Sequence, residues 1–311
     1  MRLVVALGGN ALLRRNEPMT AEAQRANVQR AAAALAPLAI EHELVITHGN
    51  GPQIGLLAIA QGSSGYPLDV LGAETEGMIG YLLEQALDAH LPPEKLVASL
   101  LTRVLVDAGD PAFANPTKFV GPSYENESEF QTLVRHFGWA YRQDAARWRR
   151  VVPSPSPIEI IELPVLGILL ERGVTVVCAG GGGIPVVRDT AGNEVGVEAV
   201  IDKDHTSALL ARRLDADGLL LLTDVRCVQL GFGTPTARAI RCAPPESLQA
   251  LARHEFPEGS MGPKVAAACA FAQSTGGFAA IGALEDAGEI LAGRRGTRID
   301  SNATQLEAES V

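Results

Sequence analysis

Short, largely apolar runs recur along this chain, and most end in a glycine-rich turn or pass into a stretch of helical character. Residues 3–7 lead into Gly8-Gly9-Asn10, residues 44–47 into His48-Gly49-Asn50-Gly51-Pro52, and residues 174–178 into Gly180-Gly181-Gly182-Gly183. Further apolar runs cover 96–106, 218–222 and 278–281. The intervening sequence predicts helices near 20–40, with Thr20 as N-cap, and near 53–60, 73–89, 204–213 and 263–273. A strand that is apolar throughout is buried on both faces. Alternation of such strands with helices predicts an α/β fold, a mainly parallel sheet with helices on both sides. The 311 residues are read as one such domain.

Residues 108–157 break the rhythm. They are rich in proline and polar residues. They hold both tryptophans, Trp139 and Trp148, with Tyr124, Tyr141, Phe113, Phe119, Phe130 and Phe137. This segment reads as an inserted lid subdomain with a small core of its own. Its basic-aromatic run, Arg142 to Arg150, could stack on nucleic acid, but a net charge of −10 argues against that partner. The polar tail, 301–311, reads as frayed. No apolar run reaches the ~18 residues needed to span a membrane. The first ten residues are too short to act as a signal peptide, so a cytoplasmic location and no membrane partner are expected. Cys178, Cys227, Cys242 and Cys269 form no Cys-x-x-Cys pair and read as small buried thiols.

The glycine clusters demand a reason. Four consecutive glycines cost ~2–4 kcal/mol of backbone entropy relative to alanine. In a parallel sheet, turns of this kind gather at the carboxyl ends of the strands, where backbone N–H groups and helix N-termini make an anion-binding concavity. One Gly pair could simply make a tight turn; three clusters at equivalent positions argue for phosphate. A side chain at Gly9 is expected to block that approach and to conflict with a positive φ. Neither common nucleotide fingerprint is present: Gly8-Gly9-Asn10-Ala11 lacks the third glycine of a dinucleotide turn, and there is no Gly-Lys-Ser/Thr.

Of the 26 basic residues only four are lysine: Lys95, Lys118, Lys203 and Lys264. A chain this biased towards arginine keeps lysine where a compact ammonium is needed. Lys95, in Pro92-Pro93-Glu94-Lys95, fits chance survival on the surface. The other three do not. Lys203 sits in Ile201-Asp202-Lys203-Asp204, directly before a helix. Lys264 follows Pro263, read as the first helical residue, and a cation there opposes the helix dipole at ~0.3–1 kcal/mol unless a phosphate binds nearby. Lys118 ends Asn115-Pro116-Thr117-Lys118 where the inserted segment begins. Positioned cations are what phosphoryl transfer needs from a protein.

These runs, together with Ala6 to Leu12, Val152-Pro153-Ser154-Pro155, Gly180 to Val187 and Gly259-Ser260-Met261-Gly262-Pro263-Lys264, resemble those of the carbamate kinases, within the amino acid kinase fold group. The resemblance extends to about Gly293. It implies an open three-layer α/β/α sandwich with a protruding lid, a homodimer, and reversible, Mg2+-dependent transfer between ATP and carbamate, giving ADP and carbamoyl phosphate. It places the reaction in arginine metabolism, running towards ATP.

By the same resemblance, Gly8, Gly9, Asn10, Gly49, Asn50 and Gly51 would hold the transferred group, with Gly181 and Gly182 at the same phosphate site. Lys203 would stabilise the phosphoryl group and Asp204 would orient the lysines. Lys264 would contact the nucleotide phosphates, and Lys118 would reach the acid substrate. Thr223, Asp224, Val225 and Met261 would line the nucleotide pocket. No residue is assigned as a metal ligand. Related acetylglutamate and aspartate kinases carry a lysine where this chain has Ala6, which favours the carbamate branch. Three departures stand out: Arg226-Cys227-Val228-Gln229-Leu230 beside the nucleotide, Ser156 in the lid, and His205-Thr206 after Asp204. The first leaves nucleotide preference open. The competing readings are a kinase for another small acid, a non-catalytic nucleotide or metabolite sensor, and a dinucleotide oxidoreductase.

Overall fold

The computed structural model describes residues 1–12, 17, 20–62, 65–256 and 261–310. Its largest sheet has ten strands, and the path through it runs Gln229–Leu230, Arg238–Ala243, Thr297–Asp300, Phe278–Ala283, Gly218–Thr223, Arg2–Leu7, Glu43–His48, Thr175–Cys178, Val97–Leu100, with Glu307–Ser310 paired to Arg238–Ala243. From Val97–Leu100 across to Phe278–Ala283 every pairing is parallel. Thr297–Asp300 is antiparallel to Phe278–Ala283. The central strand Arg2–Leu7 is buried at all but its first residue, as a strand covered on both faces must be.

Two hydrophobic clusters cover the two faces. One joins Val4, Ala6, Val45 and Leu221 to Leu209 and Val265 of the helices Lys203–Arg213 and Met261–Thr275. The other joins Leu3, Val5, Leu7, Leu44 and Leu220 to Leu35 and Leu83 of the helices Ala21–Glu41 and Leu68–Asp88. Alternate residues of one strand thus feed opposite clusters, which is the period-two geometry of a strand and makes the three-layer α/β/α arrangement. Thr20 caps the Ala21–Glu41 helix, its Oγ1 accepting from the Ala23 N–H at 3.2 Å. Among the described residues no helix is long and apolar enough to cross a membrane.

Three expectations need correction. The apolar run 96–106 is two strands: Val97–Leu100 ends the large sheet, and Arg103–Val106 joins a second sheet with Pro157–Ile160, Ile184–Arg188 and Glu194–Gly196. The buried Thr102 separates them and accepts the Ala179 N–H on Oγ1 at 3.0 Å. The tail is not frayed throughout, because Glu307–Ser310 pairs antiparallel with Arg238–Ala243; Val311 lies outside the described residues. Of the four cysteines, all free, Cys178 and Cys269 are buried while Cys227 and Cys242 are only half-buried, since they lie towards the edge of the sheet.

Within 108–157, Lys118–Tyr124, Arg147–Val152 and Ala140–Asp144 form an antiparallel sheet of their own. Phe130 stacks on Tyr141 with ring centroids 4.1 Å apart and packs against Trp148 and Tyr124. This sheet meets the Gly51–Gln61 helix at close range. A Cβ on Gly55 would fall 2.1 Å from the Gly121 Cα, so only glycine permits the contact.

Candidate active site

Three glycine turns lie side by side because the strands that lead to them are neighbours. Arg2–Leu7 ends at Gly8, Glu43–His48 at Gly49, and Thr175–Cys178 at the Gly180–Gly182 turn. The Gly49 N–H donates to the Leu7 carbonyl at 3.0 Å, and the Gly8 N–H to the Leu222 carbonyl at 2.7 Å. A Cβ on Gly49 would approach the Gly9 nitrogen to 3.0 Å and the Lys203 Cε to 3.6 Å. Gly51 opens a helix whose N-cap is Asn50, and a Cβ there would meet the Phe119 carbonyl oxygen, next to Lys118, at 3.5 Å.

Among the three turns, positive φ is confined to the third, with Gly181 at 67°, Gly182 at 94° and Gly183 at 88°. A Cβ on Gly181 would lie 2.1 Å from Asn50 Nδ2, and one on Gly182 would lie 2.5 Å from the Ile201 carbonyl oxygen. Gly9 behaves otherwise than expected. It begins a helical turn without a positive φ, and a Cβ on it would meet nothing within 4 Å. Its lack of a side chain leaves open space rather than a backbone requirement. Asn10 follows in the same turn, but its side chain lies outside the described residues.

The lysines converge on two aspartates. Asp204 accepts from Lys203 Nζ on Oδ1 at 2.5 Å and from Lys264 Nζ on Oδ2 at 2.9 Å. Asp202 caps the Lys203–Arg213 helix through Oδ1, which accepts the Asp204 N–H at 2.9 Å, and its Oδ2 pairs with Lys118. One helix start therefore gathers all three non-surface lysines. Lys95, by contrast, lies far from them, against the His42 carbonyl. The Met261–Thr275 helix is already formed at Met261, so Pro263 is not its first residue and Lys264 sits deeper than expected; Gly259 and Ser260 lie outside the described residues.

Burial sets the electrostatics. It pulls the Lys203 ammonium down to about 8, against the attraction of Asp204. Burial works to raise Asp204, but Lys203 and Lys264 hold it below the ordinary carboxylate range. Burial also works to lower Lys264, and the Asp204 carboxylate outweighs it and raises the group. A divided aspartate of this kind keeps two cations a fixed distance apart without neutralising both.

Four residues are expected to line a nucleotide pocket: Thr223, Asp224, Val225 and Met261. Thr223 is buried at the end of the Gly218–Thr223 strand, beside Gly8, and its hydroxyl donates to Asp224 Oδ1 at 3.1 Å. Asp224 acts electrostatically on Lys264. Val225 and Met261 are half-buried, with no polar contact to the lysine cluster.

Sequence reasoning missed the groups beneath the turns. Glu76 is 3% exposed and accepts the Gly180 N–H at 2.8 Å and the Thr102 N–H at 3.2 Å, and burial pushes its carboxyl up to about 8. His48 is buried, with burial holding it down to about 4 and Nε2 without a hydrogen-bond partner among the described residues. The Asn50 amide donates to Thr75 Oγ1 at 2.9 Å. Glu76 and Thr75 sit mid-helix with no local signal. A glutamate on the core face of an apolar helix was the one available hint.

A model of the amino acid kinase family matches residues 1–281. The carbamate kinase of Rhizobium meliloti is 55% identical, with 98% of this chain and 95% of that protein covered. The carbamate kinase of Escherichia coli K12 is 49% identical, at 96% and 98% coverage. Among solved structures, carbamate kinase from Giardia lamblia bound to AMP-PNP superposes with a TM-score of 0.85 at 40% identity, covering 96% of this chain and 98% of that one. The chain belongs to the amino acid kinase family and, within it, to the carbamate kinases. It is a kinase, an enzyme that transfers phosphoryl groups.

Proposed function

We propose that this enzyme catalyses reversible phosphoryl transfer between ATP and carbamate, and that it serves to make ATP from carbamoyl phosphate. The observation that carries this reading is the pair of aspartates that holds Lys118, Lys203 and Lys264 around three adjacent glycine turns. In the forward direction a carbamate oxygen bonds to the γ-phosphorus as the bond to the ADP oxygen breaks. Lys203 and the N–H groups of Gly9 and Gly51 meet the charge on the transferred group, while Gly8 and Gly49, whose N–H groups are held by the Leu222 and Leu7 carbonyls, let the backbone approach it closely. Lys264 meets the nucleotide phosphates, and Lys118 meets the acid. Such catalysis is positioning plus electrostatics. The likeness to a relative bound to AMP-PNP supports a nucleotide substrate. No group of three or more His, Cys, Asp or Glu among the described residues could hold a metal. Mg2+ would be supplied with the nucleotide and would neutralise phosphate charge during the transfer. ATP formation from ADP and carbamoyl phosphate, followed by coupled NADP reduction, tests the reading; turnover only with another acyl phosphate would overturn it.

Residues 108–157 act as a lid in this reading. Lys118 opens their sheet and already reaches Asp202, and the sheet touches the core helix at Gly51 and Gly55. Closure excludes water and completes the site. Hydrogen exchange across 118–152 is expected to slow when ADP and a carbamoyl phosphate analogue bind; unchanged exchange would count against a moving lid.

The enzyme works as a homodimer in the cytoplasm. The Val97–Leu100 strand ends the large sheet, and exposed apolar groups flank it on both sides: Tyr81 at 55% and Leu101 at 50% on one, Ile168 at 59% on the other. An edge of this kind calls for a cover. Light scattering is expected to give twice the 32.7 kDa chain mass, and Tyr81→Glu to shift it towards the monomer. A wild-type monomer would refute the dimer.

A further inference from the structure

Ala179 stands at φ 49°, just ahead of the positive-φ glycines Gly181, Gly182 and Gly183. An alanine holds that conformation only where its surroundings impose it. Two groups from distant parts of the chain do so. Thr102 Oγ1 accepts the Ala179 N–H at 3.0 Å, and Glu76 Oε1 accepts the Gly180 N–H at 2.8 Å. Glu76 Oε2 also accepts the Thr102 N–H at 3.2 Å, which ties the two supports together. A Cβ on Gly180 would lie 2.3 Å from His48 Cε1 and 3.1 Å from Glu76 Cγ, so glycine is what lets the turn settle onto the carboxyl.

The rest of the turn is accounted for as well. The Gly182 and Gly183 N–H groups donate to the Ala179 and Gly180 carbonyls, and the Ile184 N–H donates to the Thr102 carbonyl. From 179 to 184, Gly181 alone therefore keeps an N–H with no hydrogen-bond partner among the described residues. Gly181 packs against Asn50, and the Asn50 amide donates to Thr75, the residue before Glu76. Two successive residues of the Leu68–Asp88 helix thus back the second and third glycine turns. Along the sheet, Arg2–Leu7 and Glu43–His48 separate the third turn from Gly218–Thr223 and its nucleotide residues. In the proposed reaction, on which this inference rests, that side of the site takes the acid.

We propose that Glu76 is a positioning residue of the transfer: with Thr102 it sets the backbone of 179–183 so that the Gly181 N–H is presented to carbamoyl phosphate. Glu76 acts through the turn and does not touch the substrate. Burial pushes its carboxyl up to about 8, so near neutral pH it is an uncharged acid. The amide of glutamine has the same length and one carbonyl oxygen, and can replace it against the Gly180 N–H.

Glu76→Met keeps the length and removes the acceptor. It is expected to lower kcat ~10–10²-fold, the cost of a misplaced donor, and to raise the KM for carbamoyl phosphate while that for ADP stays unchanged. Glu76→Gln should restore most of kcat, whereas a side chain that only fills apolar space would favour methionine. Hydrogen exchange in the ligand-free protein should quicken across 179–183 in Glu76→Met and stay near wild-type rates in Glu76→Gln. That readout is independent of the acid used: a wild type inactive on carbamoyl phosphate would strike the reaction, and exchange would still judge Glu76. Melting curves check folding. Should Glu76→Met fail to fold, Thr102→Val removes the Ala179 acceptor at nearly constant shape and carries the same expectations for kcat and exchange. Near-native kcat in a folded Glu76→Met or Thr102→Val, a Glu76→Gln as slow as Glu76→Met, KM values raised equally for both substrates, or unchanged exchange across 179–183 would each overturn the proposal.

Discussion

Lys203→Ala is expected to lose at least ~10²–10³ in turnover, the usual cost of removing one electrostatic contact to the transition state. Lys203→Arg is expected not to restore it. The Lys203 side chain is only 8% exposed, its Nζ 2.5 Å from Asp204 Oδ1, with the Gly49 backbone close to its Cε. A guanidinium is wider and planar, and it would press on Gly49 or displace Asp204 and with it Lys264. The alternative is an ion pair that merely starts a helix. It predicts near-native turnover for a folded Lys203→Arg, which steady-state rates beside a melting curve would reveal. A pH arm follows from burial. Lys203 titrates at about 8, so the cationic form is lost as pH rises through that value. The kcat/KM of the wild type should fall above about pH 8, and a profile flat to pH 10 would remove Lys203 from the reaction.

Gly181→Ala is expected to be the second severe variant, and more severe than any small substitution at Gly9. The residue sits at φ 67°, where an L side chain costs roughly 1–2 kcal/mol, and the new Cβ would fall 2.1 Å from Asn50 Nδ2. Asn50 would have to leave Thr75 and shift the start of the Gly51–Gln61 helix, which carries the second glycine turn. A displacement of about 1 Å at such a site can cost ~10² in turnover. Gly192→Ala is the matched control. It has φ 85° and no neighbour within 4 Å of a Cβ, so it bears the strain without touching the site. Comparable activity in the two variants would show that the Gly181–Asn50 contact has no catalytic consequence.

Much of this site is legible in the amino-acid sequence. Lys118, Lys203 and Lys264 stand out because arginine fills almost every other basic position, and all three meet at one helix start. Their partners are only half visible. Asp204 is expected to orient lysines. Asp202 reads as no more than a flank of Lys203, yet it caps the helix and holds Lys118 from 84 residues away. Glu76 and His48 are hard to single out as site residues, because the role of a buried polar residue on an apolar helix or strand shows only when the turn above it is placed.

The sequence by itself determined the elements and their chemistry. Wholly apolar strands alternating with helices require a sheet covered on both faces, and glycines at three strand ends require backbone free for close approach. Strand order was decided by the tertiary structure alone. Apolar strands carry no mark of which neighbour they pair with, so only packing sets Arg2–Leu7 beside Glu43–His48, and Thr175–Cys178 beyond it. That order puts the glycine turns in contact. It also splits 96–106 between two sheets and pairs a polar tail that no local signal could place.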